Sequence, residues 1–496
     1  MPFSPLPGLP RCAVVDLGSN SVRLVVFEGR GRNPVVIFNE KAVLRLGRGM
    51  QATGRLNAEG VKQALLVMQR YHAIARAMGA APMEVLATAA MRDASNGAAF
   101  AARLRAAMPD VTLRILTGAE EAGLSAAGML CGIPAADGVL ADIGGGSLEL
   151  VRLRAGQRGQ AETRRLGVLR LAERAAGDLA RARMIAETDL AELPWLGEGQ
   201  GRDLYAVGGA FRALARVHIA QTGYPLNIID HYVISRDVAR ELTAMIIGAN
   251  RRVLERLPGA PRRRIDDLPY AAVVLRRVLR ASGARRVVFS ANGLREGWYM
   301  DRIDPATAAE DPLLAAGHDY ARRFGRDPAM PTALLRWTDP LFPRESPDAR
   351  RLRETACWMS DIGSHDHPEY RAEQAYLRIL RQPGIGLDHP ARAFLALTLA
   401  LRYEAEAESP FLATAHALLS LDQARRAILL GVALRLAYTL SAGTPDLLNA
   451  TRLSLDARLT LRLAEASGVF AGESVTRRLD RLAQALGLDA TTELAA

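Results

Sequence analysis

The stretch Val14-Val15-Asp16-Leu17-Gly18-Ser19-Asn20-Ser21-Val22-Arg23-Leu24-Val25-Val26 returns in altered form as Leu140-Ala141-Asp142-Ile143-Gly144-Gly145-Gly146-Ser147-Leu148-Glu149-Leu150-Val151. Aligned on Asp16 and Asp142, the glycines Gly18 and Gly144, the serines Ser21 and Ser147, and the pairs Leu24/Leu150 and Val25/Val151 coincide. An apolar run, a tight Gly turn and a second apolar run predict a strand–turn–strand hairpin. The backbone N–H groups of such a turn form a concave anion site, and glycine lets a phosphate approach where a Cβ would block it. Two copies facing each other across a cleft would hold a phosphate chain from both sides. The repeat therefore points to phosphate chemistry.

Outward from the repeat, 496 residues exceed one ordinary core, so about three domains are expected. Apolar content of 49% with 24% charged residues describes a globular chain and excludes a disordered one. No apolar run reaches the length a membrane span needs. The Pro-rich start, residues 1–11, is expected to be a flexible arm and not a signal peptide. Cys12, Cys131 and Cys357 are scattered, without metal-ligand spacing, which suggests a reducing, cytoplasmic setting. The net charge is +11, carried almost entirely by Arg, since Lys41 and Lys62 are the only lysines. A basic surface favours polyanions.

Residues 12–125 read as strands and helices in the order strand, strand, strand, helix, strand, helix, strand, helix. Asn57 caps a helix whose Val61, Leu65, Met68, Ala75 and Met78 share one face. Met83–Ala87 and Val111–Leu116 read as short buried strands. Residues 126–305 restart the scheme, with a third strand expected at Glu162–Gly167. After Pro305, helical patterns dominate to Ala442, and 306–496 is read as a mainly helical region ending in a strand pair (Thr451–Leu463) and a helix (Glu473–Leu486).

Five blocks, in order, resemble the exopolyphosphatase / guanosine pentaphosphate phosphatase family within the actin, sugar-kinase and Hsp70 superfamily. They are Asp16–Ser21, Ala87–Ala94, Gly118–Ala122, Asp142–Glu149 and Gly293–Gly297. The resemblance implies an α/β fold of two duplicated ribonuclease-H-like (actin-like ATPase) domains around a cleft, followed by a mainly α-helical C-terminal region resembling a degenerate HD domain. It also implies that Glu121 is the general base that takes a proton from the attacking water, and that Glu149 stands near metal and water. In the helical region Met359-Ser360-Asp361 occupies the place of an HD pair, with Ser360 in place of His, and His365-Asp366-His367 lies off register. A scaffolding role is expected there.

The residues themselves divide the tasks. Thr117-x-x-Glu120 fits a capping box, which makes Glu120 structural and leaves Glu121 free. Asp16, Asp142 and Glu149 are the candidate metal ligands, for Mg²⁺ or another divalent cation. Gly18, Ser19, Asn20, Ser21, Gly144, Gly145, Gly146 and Ser147 form the expected phosphate cradle. Arg92 is the cation expected to stabilise transition-state charge. Tyr205–Arg212 resembles a nucleotide-proximal glycine turn, but Ala210 stands where Thr or Ser is usual. Arg251, Arg252, Arg256, Arg262, Arg263, Arg264, Arg276, Arg277, Arg280, Arg285 and Arg286 suggest a track for a long polyanion.

These readings combine into an exopolyphosphatase that releases orthophosphate from the end of inorganic polyphosphate. The alternatives are a guanosine pentaphosphate phosphohydrolase, an ATP-dependent kinase of the same superfamily, and a sensor that binds polyphosphate or guanosine tetraphosphate without turnover. Apolar residues all round Phe394–Leu401 suggest a homodimer through the helical region.

Overall fold

The computed structural model describes residues 9–382, 386–464 and 471–495. The arm expected over residues 1–11 falls mainly outside them. The chain divides into two units, 1–309 and 310–496.

The first unit holds two sheets built on one plan. Strands β1 (Arg11–Leu17), β2 (Ser21–Glu28), β3 (Val35–Val43), β4 (Met83–Ala87) and β5 (Thr112–Ile115) are ordered β3-β2-β1-β4-β5. Next come β6 (Gly138–Ile143), β7 (Leu148–Arg154), β8 (Gln157–Arg164), β9 (Asp203–Val207), β10 (Tyr232–Ser235) and β11 (Arg286–Phe289), ordered β10-β11-β9-β6-β7-β8. Apart from the added edge strand β10, the second sheet repeats the first, with two antiparallel hairpin pairings followed by parallel crossovers. The registers match as well: Leu17 faces Val22 and Asp16 faces Arg23, as Ile143 faces Leu148 and Asp142 faces Glu149. The duplicated α/β architecture expected from the repeat is the one observed.

Two strand readings need correction. β5 is an edge strand whose residues are half-buried or exposed, not buried. β8 runs over Gln157–Arg164, earlier than Glu162–Gly167, because its outer positions carry polar residues that a hydrophobic search passes over. The Asn57 cap is present, with Asn57 accepting from Gly60 N–H, and the helix Ala58–Ala77 buries Val61, Met68 and Ala75.

In the second unit the helix His389–Arg402 is buried on all sides, packed against the helices Arg371–Leu380 and Leu421–Ser441. The cover that the apolar pattern suggested a second copy would provide is supplied by this chain itself. The strand pair is found as β12 (Thr451–Leu455) and β13 (Leu459–Ala464), and the helix as Glu473–Leu486. A third strand, β14 (Ala490–Ala495), joins β13 in parallel and was not read from the sequence. At the HD-like position Ser360 Oγ lies 2.8 Å from the Tyr438 hydroxyl, and Asp361 Oδ1 accepts from Arg326 Nη2 at 2.9 Å. Burial raises the Asp361 pKa, but the hydrogen bonds and charge of Arg326 together with the Ser364 hydroxyl outweigh it and hold the carboxyl below its ordinary value. A carboxylate so paired is a structural anchor.

Candidate active site

Both hairpin turns are pinned by their carbonyls. In the second, Gly144 O accepts from Val168 N–H at 3.1 Å and Gly145 O from Leu169 N–H at 2.9 Å. In the first, Asn20 O accepts from Leu44 and Arg45 N–H at 3.0 and 2.9 Å, and Ser19 O from Gly47 N–H at 2.8 Å. In a trans peptide the C=O and the following N–H point in opposite directions. Tying the carbonyls outward therefore turns the N–H groups of Asn20, Ser21, Gly145 and Gly146 to the other side, toward the cavity these residues line.

Close packing behind the second turn demands glycine. A Cβ on Gly167 would stand 2.4 Å from Ser147 N and 2.5 Å from Gly146 backbone atoms. The matching residue behind the first turn, Gly47, would bring a Cβ only to 3.1 Å from the Ser19 Cβ.

The two turns face one cavity of about 160 Å³. All the predicted cradle residues line it, and so do Asp16, Asp142, Glu149 and Glu121. Glu121 arrives on the helix Gly118–Gly132, whose capping box forms as expected: Thr117 Oγ1 accepts from Glu120 N–H, and Glu120 Oε2 accepts from Thr117 N–H at 2.8 Å. Glu120 is thereby consumed at the cap, while Glu121 turns inward. Burial, reinforced by the charges of Asp16 and Asp142 and opposed by Arg92, pushes the Glu121 carboxyl up to about 7. A carboxylate poised there can accept a proton near neutral pH.

Arg92 does not line the cavity. The short helix Ala89–Asp93 sets it behind Glu121, where its Nη1 donates to Glu121 Oε2 at 3.1 Å and to Leu116 O at 2.8 Å. The expected transition-state cation is thus the support of the candidate base.

The cations that do line the cavity are Arg23, Lys41, Arg212, Arg264 and Arg295. Burial and neighbouring arginines push the Lys41 ammonium down to about 8, and Arg212 down to about 10. Such depressed values report crowded like charge that an anionic ligand would relieve. Of the long Arg stretch only Arg264 enters the cavity. Arg277 is paired with Glu187, Arg285 and Arg286 clamp Asp203, and Arg251 pairs with Glu255 and Asp266. These members of the stretch are spent on local ion pairs. Sequence reading missed Lys41, Arg212 and Arg295 as site residues. The place of Lys41 as one of two lysines, and of Arg295 inside Gly293–Gly297, were the available signals.

The four carboxylates suit a divalent cation. Asp16, Asp142 and Glu149 are all raised above their ordinary values by burial first; Glu296 adds to this at Asp16, Asp16 at Asp142, and Glu121 and Asp142 at Glu149. Asp142 Oδ2 is hydrogen-bonded to Ser125 Oγ, whereas buried Glu149 Oε1 has no partner. Among the described residues no three acidic, His or Cys side chains stand close enough to enclose a metal by themselves, so the expected trio is not a closed protein cage. Mg²⁺ commonly takes one or two carboxylates and completes its shell with water and substrate phosphate. The donor set fits that habit.

The family model of the Ppx/GppA phosphatase family matches residues 25–305. The chain belongs to that family. The model described as "Exopolyphosphatase, C-terminal" matches residues 313–492. Exopolyphosphatase 1 of Mycobacterium bovis is 28% identical over 342 residues, covering 66% of this chain and 98% of the relative. Exopolyphosphatase 2 of Mycobacterium tuberculosis is 35% identical over 153 residues, 29% of this chain, and the match spans 48% of that relative, about half its length. Among solved structures, an exopolyphosphatase from Cytophaga hutchinsonii superposes with a TM-score of 0.54 at 22% identity, over 59% of this chain and 99% of its own. A PPX-GPPA enzyme of Aquifex aeolicus gives 0.50 at 20% identity over 58% and 98%. These likenesses carry the fold.

Proposed function

We propose that this chain is an exopolyphosphatase that hydrolyses terminal phosphoanhydride bonds of inorganic polyphosphate and releases orthophosphate. The observation that carries the reading is Glu121: a buried carboxylate raised to about 7, lining a cavity between two phosphate-shaped turns. The terminal phosphoryl group rests on the N–H groups of Gly145, Gly146, Asn20 and Ser21 and on the hydroxyls of Ser21 and Ser147. Arg212, Arg264, Arg295, Arg23 and Lys41 meet the negative charge of the chain. Glu121, oriented by Arg92, takes the proton of the water that attacks the terminal phosphorus. Asp16, Asp142 and Glu149 would hold a divalent cation, Mg²⁺ in this reading, which would supply Lewis acidity and neutralise phosphate oxygens.

The residues lining the cavity include no aromatic ring on which a purine could stack, which favours polyphosphate over guanosine pentaphosphate. Among the described residues no helix is long and apolar enough to cross a membrane, and the three cysteines are free, which supports a cytoplasmic setting. Phosphate release from long polyphosphate by Glu121→Gln tests the reaction. A drop of about 10²- to 10⁴-fold in kcat is expected for loss of a general base, and activity within about threefold of the parent would refute it.

A further inference from the structure

The helical unit contains a second cationic recess, of about 100 Å³, lined by Leu401, Glu404, Val432, Arg435, Arg477, Arg478 and Arg481. Four guanidinium groups and one carboxylate line it. Glu404 accepts from Arg435 Nε at 3.0 Å and is also paired with Arg478. The side chains of Arg435 and Arg478 are only 19% and 15% exposed. Partly desolvated positive charge in excess of its counter-charge is unfavourable, and a concave surface concentrates its field.

The backbone at Glu404 is unusual. Glu404 N–H donates to Leu401 O and Ala405 N–H to Ala400 O, both at 3.0 Å, closing a Schellman motif after the helix His389–Arg402. The residue at this position has φ +70°, where glycine is the ordinary choice. A charged side chain has been placed at a strained position, held by Arg435 and Arg478 and, at 4.0 Å, by Arg371. Strain retained against local preference marks a site with a task.

We propose that this recess is a binding site for a phosphoryl oxyanion, with Glu404 as the internal competitor that occupies the guanidinium groups when the anion is absent. The planar forks of Arg477, Arg478 and Arg481, projecting from the helix Glu473–Leu486, suit tetrahedral phosphate oxygens. The anion bonds Arg477 and Arg481 and draws Arg478 away from Glu404. Free orthophosphate and the end of a polyphosphate chain present the same chemistry. The site does not rest on the proposed hydrolysis, and retained phosphate binding here in a protein without turnover would leave it standing.

The test is equilibrium dialysis of the full chain with orthophosphate, and with short polyphosphate as competitor. The exposed pair Arg477→Glu/Arg481→Glu should weaken one class of phosphate binding about tenfold or more, as loss of charge-assisted bonds implies. Hydrolysis of a short oligophosphate should be unchanged. Glu404→Gln should do the opposite and tighten the same class. Loss of polyphosphate binding alone would assign the site to the chain end, and loss of both ligands to the shared oxyanion. Unchanged binding of both ligands in the folded double variant would overturn the proposal. If that variant fails to fold, unchanged binding in Glu404→Gln would do so.

Discussion

Where β2 carries Arg23 opposite Asp16, β7 carries Glu149 opposite Asp142. The first hairpin thus sets a cation against its aspartate, and the second sets carboxylate against carboxylate. Asp142 and Glu121 both raise the Glu149 pKa further after burial, so this hairpin has an electrostatic demand the first one lacks. The shared backbone comes from the glycine turn, which both copies keep. One residue per copy decides whether the facing position eases the charge of the turn aspartate, as Arg23 does for Asp16, or adds to it, as Glu149 does beside Asp142. A duplicated frame has become asymmetric through a single facing position.

Breaking that asymmetry should give unequal results. Glu149→Gln is expected to cost about 10²-fold or more in kcat, measured by phosphate release, with Mg²⁺ dependence shifted to higher concentration. Arg23→Ala, at the corresponding site, should act mainly on KM. Equal kcat losses from the two would dissolve the comparison.

The glycines behind the turns give the next largest difference. Gly167→Ala meets backbone atoms at 2.4 Å and should destabilise by about 1–3 kcal/mol in denaturant melts while disabling the second turn. Gly47→Ala meets a side-chain carbon at 3.1 Å and should cost less than about 1 kcal/mol. The reverse ranking would contradict the packing described here.

Loss of one cavity cation should be milder. Arg295→Ala is expected to raise KM about tenfold, as removal of one charge-assisted phosphate contact does, with a smaller effect on kcat. Steeper inhibition by salt in the parent than in the variant would support it.

The last effect is on stability against pH and not on turnover. The Glu121 carboxyl is raised from 4.5 to about 7, so between those values the folded protein holds a proton the unfolded chain has released. Its contribution is complete below 4.5 and is lost as pH rises through about 7. Metal-free protein should therefore melt at progressively lower temperature across that window, and Glu121→Gln should flatten the slope.

Legibility followed the distance over which each feature is specified. The hairpins, the Asn57 cap and the Thr117–Glu120 box are local, with every partner within a few residues, and each is found where the sequence places it. That the residues of both turns line one cavity was readable for the same reason. Lys41, Arg212, Arg264 and Arg295 converge on one cavity from separate elements; the rarity of lysine and the Gly293–Gly297 block single out Lys41 and Arg295, but no local pattern says that the four meet. Arg92 was expected to face the phosphate and instead lies behind Glu121, because which face of a five-residue helix turns inward depends on what packs against it.

The sequence by itself determined the duplicated α/β plan and its phosphate-shaped turns, since strand alternation and glycine turns are written in neighbouring residues. Tertiary structure alone decided which charges share the cavity and which are neutralised elsewhere. Gly297 shows how: a Cβ there would stand 1.9 Å from Leu124 O, so only glycine lets the helix bearing Arg295 press against the helix bearing Glu121. Protonation and charge pairing then follow from burial and proximity, which exist only once the chain is folded.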